Sequence, residues 1–146
     1  MKSIFLLATA AFLTAGVFGQ QAQQKKVEDV LKFKEVAFDF GKIKQNEPAK
    51  HDFVFTNISS SPVIIESALA SCGCTTPFKP EGAIGKGKDD KITAEYNAGT
   101  EGRFNKTITV KVAGVDEPIV LKITGEVLSP DAYAKYQASK GNSPGR

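Results

Sequence analysis

The sequence is poor in the residues that usually carry catalysis or metal binding. It contains no tryptophan, one histidine (His51), one methionine (Met1) and two cysteines, Cys72 and Cys74. A structural zinc site normally has four ligands, so a closed zinc site within this chain would have to borrow carboxylates. No serine lies in a Gly-x-Ser-x-Gly turn, and no glycine-rich phosphate loop is followed by a helix pattern. We therefore expect no catalytic residues, no metal and no cofactor.

Long apolar runs are also scarce, and the strongest one lies at the N-terminus. Lys2 supplies a positive charge, Ile4–Val17 is mostly apolar, and Gly19 offers a small residue before the polar stretch Gln20–Gln24. This order is typical of a secretory signal peptide. The run is shorter than the roughly 20 residues that a membrane-spanning helix needs. We expect residues 1–19 to be removed as a signal peptide, no membrane span in the remainder, and a location in the periplasm or outside the cell.

Neither sign of charge is in large excess. The chain has 19 Lys and Arg residues against 16 Asp and Glu residues, with a formal net charge of +3. The two signs are interspersed, which gives no reason to expect nucleic acid or an anionic membrane as a partner. A protein or another component of the cell envelope is the expected partner.

What the sequence has in quantity is a two-residue alternation of apolar side chains from Glu35 onward. Gly, Pro, Asn and Ser turns separate the runs, and no helical crossover lies between them. The pattern predicts an all-β, immunoglobulin-like antiparallel β-sandwich of about seven strands, with phenylalanine filling its core. His51 is interpreted as a packed strand residue rather than a base, and Gly125 as a site of bending or close approach. The runs are Val36–Phe40, His51–Thr56, Val63–Leu69, Ile92–Tyr96, Phe104–Val112 and Ile119–Val127.

The sequence also predicts the segments that precede and follow the sandwich. We expect the sandwich to span residues 34–128, after a polar lead at residues 20–33. Residues 129–146 are expected to form a short helix and a flexible tail. Ser129, followed by proline and aspartate, has the order of a helix start and predicts a helix over Ala132–Ala138.

Cys72 and Cys74 begin the longest stretch without a strand pattern, Ser71–Asp90, and three interpretations of the pair are open. Export makes a disulfide plausible. Residues two apart in an extended strand, however, lie about 6.5–7 Å apart at Cα, the edge of what a disulfide tolerates. Gly73 could shorten this distance by adopting a conformation closed to other residues, and such a tight ring would be easily reduced. The other interpretations are a site for a soft metal such as Cu(I) and a pair of inert buried thiols.

Four blocks of the chain, taken in order, resemble the successive blocks of one known family. They are Phe38–Ile43, Phe53–Asn57, Ser71–Thr75 and Gly102–Val110. The family is the secreted bacterial domain-of-unknown-function family number fifteen seventy-three, and the likeness covers about Val36 to Val127. The resemblance implies an immunoglobulin-like sandwich, distantly similar to domains of the major sperm protein, pilus chaperone and hydin groups. It implies no established activity.

Two hypotheses of function follow. The first is an exported binding or structural module of the bacterial envelope, without catalytic activity. The alternative is a thiol redox or copper-handling protein that uses the Cys72-Gly73-Cys74 pair. The residues expected to matter match the central motif of the family or precede it directly; they are Ser71, Cys72, Gly73, Cys74 and Thr75.

Overall fold

A computed structural model describes residues 24–141, and the predicted signal peptide and the end of the predicted tail lie outside them. A 3-10 helix, Val27–Asp29, is followed by eight strands and one α-helix. No helix of this described range is long and apolar enough to cross a membrane. The elements are β1 (Leu31–Phe33), β2 (Ala37–Lys44), β3 (Ala49–Asn57), β4 (Ile65–Ala70), β5 (Thr75–Phe78), β6 (Asp89–Tyr96), β7 (Gly102–Val112), β8 (Ile119–Leu128) and α1 (Pro130–Gly141).

The eight strands form two four-stranded sheets, which confirms the predicted all-β sandwich. The first sheet has the order β1-β3-β6-β5 and the second the order β2-β8-β7-β4. One strand pair differs from the prediction, because β2 runs parallel to β8 while the other pairs are antiparallel. The alternation of side chains reports which face of a strand is buried but not which strand lies beside it. The parallel pair could therefore not be predicted from the pattern.

The core lies between the sheets and follows the predicted alternation. Phe53 and Phe55 on β3 are fully buried, and Ile92, Ala94 and Tyr96 of the neighbouring strand β6 are buried on the same side of the sheet. Aliphatic side chains fill more of this core than phenylalanine does, and Phe78 is half exposed. The largest fully buried side chains include Leu31, Phe53, Phe55, Ile65, Ile92, Ile108, Leu121, Ile123 and Val127.

The segment predicted as a polar lead is part of the sandwich. Val27, Val30 and Leu31 are at most 2% exposed, and β1 pairs with β3. The apolar residues of this segment span too few positions to show an alternation, and β1 has only three residues. The sandwich therefore begins near Val27 rather than at residue 34.

A second short strand lies within the stretch that the sequence showed as irregular. β5 pairs with β6 from Thr75 to Phe78, and Pro77 lies within it. Proline is tolerated there because β5 is an edge strand. Since β4 belongs to the second sheet and β5 to the first, residues 71–74 cross from one sheet to the other.

The end of the sandwich agrees in part with the expected flank. The Ser129 hydroxyl oxygen accepts a hydrogen bond from the Ala132 N–H at 3.4 Å, as expected of a residue that caps a helix. The helix runs from Pro130 to Gly141 and is longer than the predicted Ala132–Ala138. Its Tyr136 ring lies 4.8 Å from the Lys42 ammonium of β2, so the helix covers part of that edge strand.

Candidate functional site at the disulfide end of the sandwich

The predicted cysteine motif lies at one end of the sandwich, called here the disulfide end. This end carries the connections at residues 45–48, 71–74 and 97–101, together with the start of α1. Hydrogen bonds tie the connections together: the Asn46 N–H donates to the Ala98 carbonyl at 2.9 Å, and the Gln45 amide to the Gly99 carbonyl at 3.2 Å.

Cys72 and Cys74 are joined in a disulfide, and their Cα atoms lie 5.3 Å apart. This distance is shorter than the separation in an extended strand, because the chain turns at Gly73 and Cys74. Of the three interpretations of the pair, the disulfide is the one that the structure adopts. Both cysteines are half-buried, and Cys74 packs against the core.

The backbone conformation of Gly73 differs from the one expected. Its φ is not positive, and a Cβ built on it would meet no heavy atom within 4 Å. The expectation that Gly73 adopts a conformation closed to other residues is therefore wrong. The missing side chain instead leaves open space beside the disulfide.

Two hydrogen bonds between Ser71 and Thr107 hold the chain on the β4 side of the disulfide. The Ser71 N–H donates to the Thr107 carbonyl at 2.9 Å, and the Thr107 N–H donates to the Ser71 hydroxyl oxygen at 3.1 Å. Ser71 therefore extends the pairing of β4 with β7 by one residue before the chain turns away.

The β5 side of the disulfide is held in the same way. The Thr75 N–H donates to the Cys72 carbonyl at 3.3 Å, and the Asn97 N–H donates to the Cys74 carbonyl at 3.0 Å. Thr75 is 4% exposed, and its hydroxyl oxygen lies 3.8 Å from the Cys72 sulfur. The turn is thus fixed by contacts that do not depend on the S–S bond.

A cavity of about 390 Å³ lies beside Cys74. Phe104 stacks on Tyr96, with ring centroids 4.0 Å apart, and both rings line the cavity. Lys106 brings a positive charge to its wall from an inward position of β7, whereas Arg103 is at an exposed, outward position of the strand. The full lining is Cys74, Tyr96, Asn97, Gly99, Thr100, Glu101, Gly102, Arg103, Phe104 and Lys106.

Lys106 has an unusual place in β7. It lies between the buried Phe104 and Ile108 at the positions that face the interior, and its side chain is half-buried. Within residues 24–141, neither Lys106 nor Arg103 forms a salt bridge. Glu101 is the one acidic residue of the lining, and it is exposed while Lys106 is half-buried.

The backbone of β7 is unpaired on one side next to this cavity. The pairing of β4 with β7 ends at Ala70 opposite Ile108, apart from the two Ser71 bonds. Backbone groups of a strand alternate between its two neighbours, so Asn105 and Arg103 direct theirs to the same side as Thr107. In the described part of the chain, no strand lies beside them there. We call the backbone of residues 103–106 the open edge.

A second, shallower cavity of about 500 Å³ also has Arg103 among its lining residues. It lies where β2, β7 and β8 meet, at the bulge of β2 between Asp39 and Lys42. Charges of both signs line it, Lys42 and Arg103 against Asp39 and Glu126. This mixture favours no single class of ligand.

The single histidine packs as the sequence predicted. The His51 ring stacks on Phe38, with centroids 3.6 Å apart, and its Nε2 lies 3.0 Å from a Glu35 carboxylate oxygen. Its side chain is 15% exposed. Within the described residues, no three His, Cys, Asp or Glu side chains lie together as a metal site would require.

Two features of this end were missed by sequence reasoning, namely the open edge and the positive charge of the cavity. The alternation contained a signal for the second feature. Lys106 occupies an inward position between two apolar residues, and a charge there is unusual for a strand with one buried face. The open edge had no local signal, because it arises where β4 leaves β7.

Solved structures with related folds share little sequence with this chain. A protein of unknown function from Porphyromonas gingivalis W83 is 15% identical with a TM-score of 0.57, over 66% of this chain and 46% of its own length. The PapD-like domain 7 of human CEP192 is 9% identical with a TM-score of 0.61, over 83% of this chain and 99% of that domain. The secreted serine protease VesC from Vibrio cholerae is 12% identical with a TM-score of 0.53, over 75% of this chain and 26% of its own. At these identities the likeness shows the fold alone.

Family membership comes from the sequence itself. No curated protein matches the chain. One family matches residues 31–127, which include the sandwich from β1 nearly to the end of β8 and the Cys-Gly-Cys turn. That range agrees with the resemblance found in the four blocks and extends it to β1. The chain therefore belongs to the family described as proteins of unknown function, DUF1573.

Proposed function

We propose that the protein is an exported binding module without catalytic activity, and that it docks an extended segment of a partner protein along the open edge of β7. An extended peptide can add to an exposed sheet edge through main-chain hydrogen bonds, with side-chain pockets supplying specificity. The observation that carries the proposal is the unpaired backbone of Arg103 and Asn105, which continues the line where β4 stops.

The cavity beside Cys74 supports the same mode of binding. It borders Arg103, Phe104 and Lys106, which belong to the open edge, so there is space where an added strand would lie. Side chains of an added strand alternate between the cavity and the outer face. The Phe104 and Tyr96 rings would contact its inward side chains.

Exposed apolar side chains near the open edge offer further contact. Leu69 on β4 is 65% exposed and lies opposite Thr109, which in turn lies opposite Val120, itself 50% exposed. The outer face of the second sheet thus has two apolar side chains flanking one threonine, close to where β4 ends. An exposed Leu or Val alone is ordinary, but Leu69 lies one residue before the end of β4, beyond which the backbone of β7 becomes unpaired.

The absence of catalysis is part of the proposal, and the contacts of the two candidate reactive groups support it. His51 is stacked on Phe38 and bound to Glu35, and the two cysteines are joined to each other. Copper handling is not carried further, because thiolate is the form that binds a metal and a disulfide has none. Thiol exchange at the disulfide is a second candidate, favoured by the half-exposure of both cysteines.

Site-specific photo-crosslinking in the producing cell tests the docking mode. A benzoylphenylalanine replaces Leu69, next to the open edge, and in a control it replaces Glu81, which is exposed in the β5–β6 connection at the other end. Arg103→Pro and Asn105→Pro each remove one backbone donor of the open edge, whereas Arg103→Ala and Asn105→Ala keep it. Thermal unfolding identifies which variants remain folded.

We expect one adduct of defined mass from position 69 and none from position 81. The adduct should persist in both alanine variants and disappear in each folded proline variant. An adduct that survives the proline substitutions would show side-chain docking elsewhere, and the absence of any adduct at position 69 would refute docking at this edge.

A further inference from the structure

We propose that the Cys72–Cys74 disulfide exchanges with an external thiol in one direction, so that the thiol attaches to Cys72 while Cys74 leaves as the thiolate. This inference goes beyond the binding role and does not rest on it. The ligand class is a thiol, supplied by a small molecule or by a cysteine of another protein.

The two sulfurs have different surroundings, and this difference sets the direction. Cys74 lines the same cavity as Lys106, which is half-buried and forms no salt bridge within residues 24–141. The neighbour found at the Cys72 sulfur is a neutral hydroxyl, that of Thr75 at 3.8 Å. Positive charge lowers the pKa of a nearby thiol, and the sulfur with the lower pKa leaves faster. The positive charge of Lys106 therefore favours Cys74 as the leaving sulfur.

Access favours attack at Cys72. Its two chain neighbours, Ser71 and Gly73, are both exposed. A Cβ at Gly73 would meet nothing within 4 Å, so the space beside the turn is open. Cys74, by contrast, packs against the core and has the buried Thr75 as its next residue.

The hydrogen bonds that hold the turn do not involve the S–S bond and therefore remain during the exchange. Ser71 is bound to Thr107 by two hydrogen bonds, and the Cys74 carbonyl accepts one from the Asn97 N–H. These bonds flank the disulfide and contain neither sulfur. Opening the S–S bond therefore leaves the two sulfurs close together, and the reverse reaction remains fast because its reactants are held in place.

The exchange replaces one thiolate by another at the Cys72 sulfur. The external thiol loses its proton to solvent, and its thiolate forms a new S–S bond with Cys72 as the Cys72–Cys74 bond breaks. The external sulfur is oxidised and the Cys74 sulfur is reduced, with the electron pair of the broken bond left on Cys74. A second external thiolate can then attack the first external sulfur, which forms a disulfide between the two external thiols and releases Cys72 as the thiolate. Alternatively, the Cys74 thiolate attacks Cys72, expels the external thiolate and restores the starting disulfide.

Trapping of the mixed disulfide tests the direction of attack. The folded mature chain is mixed with glutathione, alkylated with iodoacetamide at timed intervals, and analysed by peptide mass spectrometry. We expect glutathione on Cys72 and the alkyl group on Cys74. The same chain unfolded in urea provides the reference distribution between the two cysteines. Predominant glutathione on Cys74 in the folded chain, or a distribution equal to that of the unfolded chain, would overturn the proposal.

Charge variants test the cause of the direction. Lys106→Met should slow formation of the mixed disulfide by roughly 3- to 10-fold, because Cys74 becomes a poorer leaving group. Lys111→Met removes a charge from the same strand outside the cavity lining and should leave the rate unchanged. Equal slowing in both variants would contradict a local effect. Circular dichroism confirms that each variant is folded.

A second reagent distinguishes the source of the thiol. A reduced peptide containing Cys-x-x-Cys replaces glutathione, and the rates are compared at equal thiol concentration. A faster reaction with the peptide indicates a protein cysteine, and a faster reaction with glutathione indicates a small thiol. If neither reagent reacts faster with the folded chain than with the unfolded chain, the disulfide is not an exchange site and the proposal fails, whatever the crosslinking at the open edge shows.

Discussion

At the scale of single residues, Gly125 fixes how closely β8, β7 and β2 approach one another. A Cβ at this position would lie 2.6 Å from Cζ of Phe104 and 3.0 Å from the Gly41 carbonyl oxygen. Phe104 is 7% exposed and stacks on Tyr96, so its ring has little freedom to move away. The predicted close approach is confirmed, and the same ring forms a wall of the cavity beside Cys74.

Gly125→Ala should therefore destabilise the protein. We expect the free energy of unfolding to fall by about 1–3 kcal/mol, the usual cost of forcing extra volume into a packed site. Gly82→Ala is the matched control, because a Cβ there meets nothing within 4 Å and its φ is not positive. Urea denaturation of both variants measures the effect, and equal stabilities would show that Phe104 can move aside.

At the scale of elements, β1 shows that three residues can anchor a segment that looks polar. Leu31 is 1% exposed and lies opposite Asn57, while Lys32 on the same strand is exposed. β1 is an edge strand next to β3, so its inward side chain adds to the core although its length is minimal.

Leu31→Ala should lower the free energy of unfolding by roughly 2–4 kcal/mol, through lost apolar contact and the cavity left behind. Lys32→Ala, one residue along the same strand, should change it by less than about 0.5 kcal/mol. Denaturant titration compares the two. A small effect of Leu31→Ala would show that this segment contributes little to the stability of the sandwich.

A charged pair on the outer face of the first sheet links β3 to β6. The Lys91 ammonium donates to Asp52 at 2.7 Å, and the Thr93 hydroxyl donates to the other carboxylate oxygen at 2.5 Å. These hydrogen bonds, from Lys91 first and then from Thr93, lower the pKa of the Asp52 carboxyl below its ordinary value. The folded state therefore favours the ionised carboxylate more than the unfolded state does.

Asp52→Asn should reduce stability at neutral pH and not in acid. A lowered folded-state pKa gives stability that is present above the unfolded value of about 3.9 and is lost as the pH falls through the folded value. The loss at pH 7 should be less than about 1 kcal/mol, because the carboxylate is 42% exposed and solvent screens the pair. Urea titrations of wild type and variant at several pH values should converge below about pH 4. A difference that does not depend on pH would mean that Asp52 acts by packing alone.

At the scale of the whole molecule, the proposal of an envelope protein depends on export. The positive start and apolar run of residues 1–19 precede a domain that begins near Val27. Only a few polar residues then separate the expected cleavage site from the first buried side chain. Cleavage near Gly19 would leave the domain whole.

Intact mass of the recovered protein tests this expectation. We expect the mature chain to begin near Gln20 and to fractionate with the envelope. Leu6→Arg interrupts the apolar run and should leave the uncleaved chain in the cytoplasm, whereas Leu6→Ile keeps the run and should be processed normally. Full-length wild-type protein in the cytoplasm would contradict export.

The sequence by itself determined the sandwich and the cysteine motif, because both depend on residues that are neighbours in the chain. The alternation around Phe53 and Phe55 requires a strand with one buried face, and two cysteines around one glycine can meet within a single turn. A capped helix start at Ser129 is equally local. Each of these features depends on a few consecutive side chains and so could be recognised without a fold.

Only the tertiary structure decided where the strands lie and what surrounds the disulfide. β1 and β5 are too short to show a period, and the direction of β2 depends on β8, which lies far along the chain. The open edge exists because the chain leaves β7 after Ser71 and crosses to the other sheet. The charge of the cavity exists because Lys106 on β7 and Cys74, which directly precedes β5 of the other sheet, line the same space. Pairing between distant segments is set by the packing of the whole core, and no short stretch of sequence carries that information.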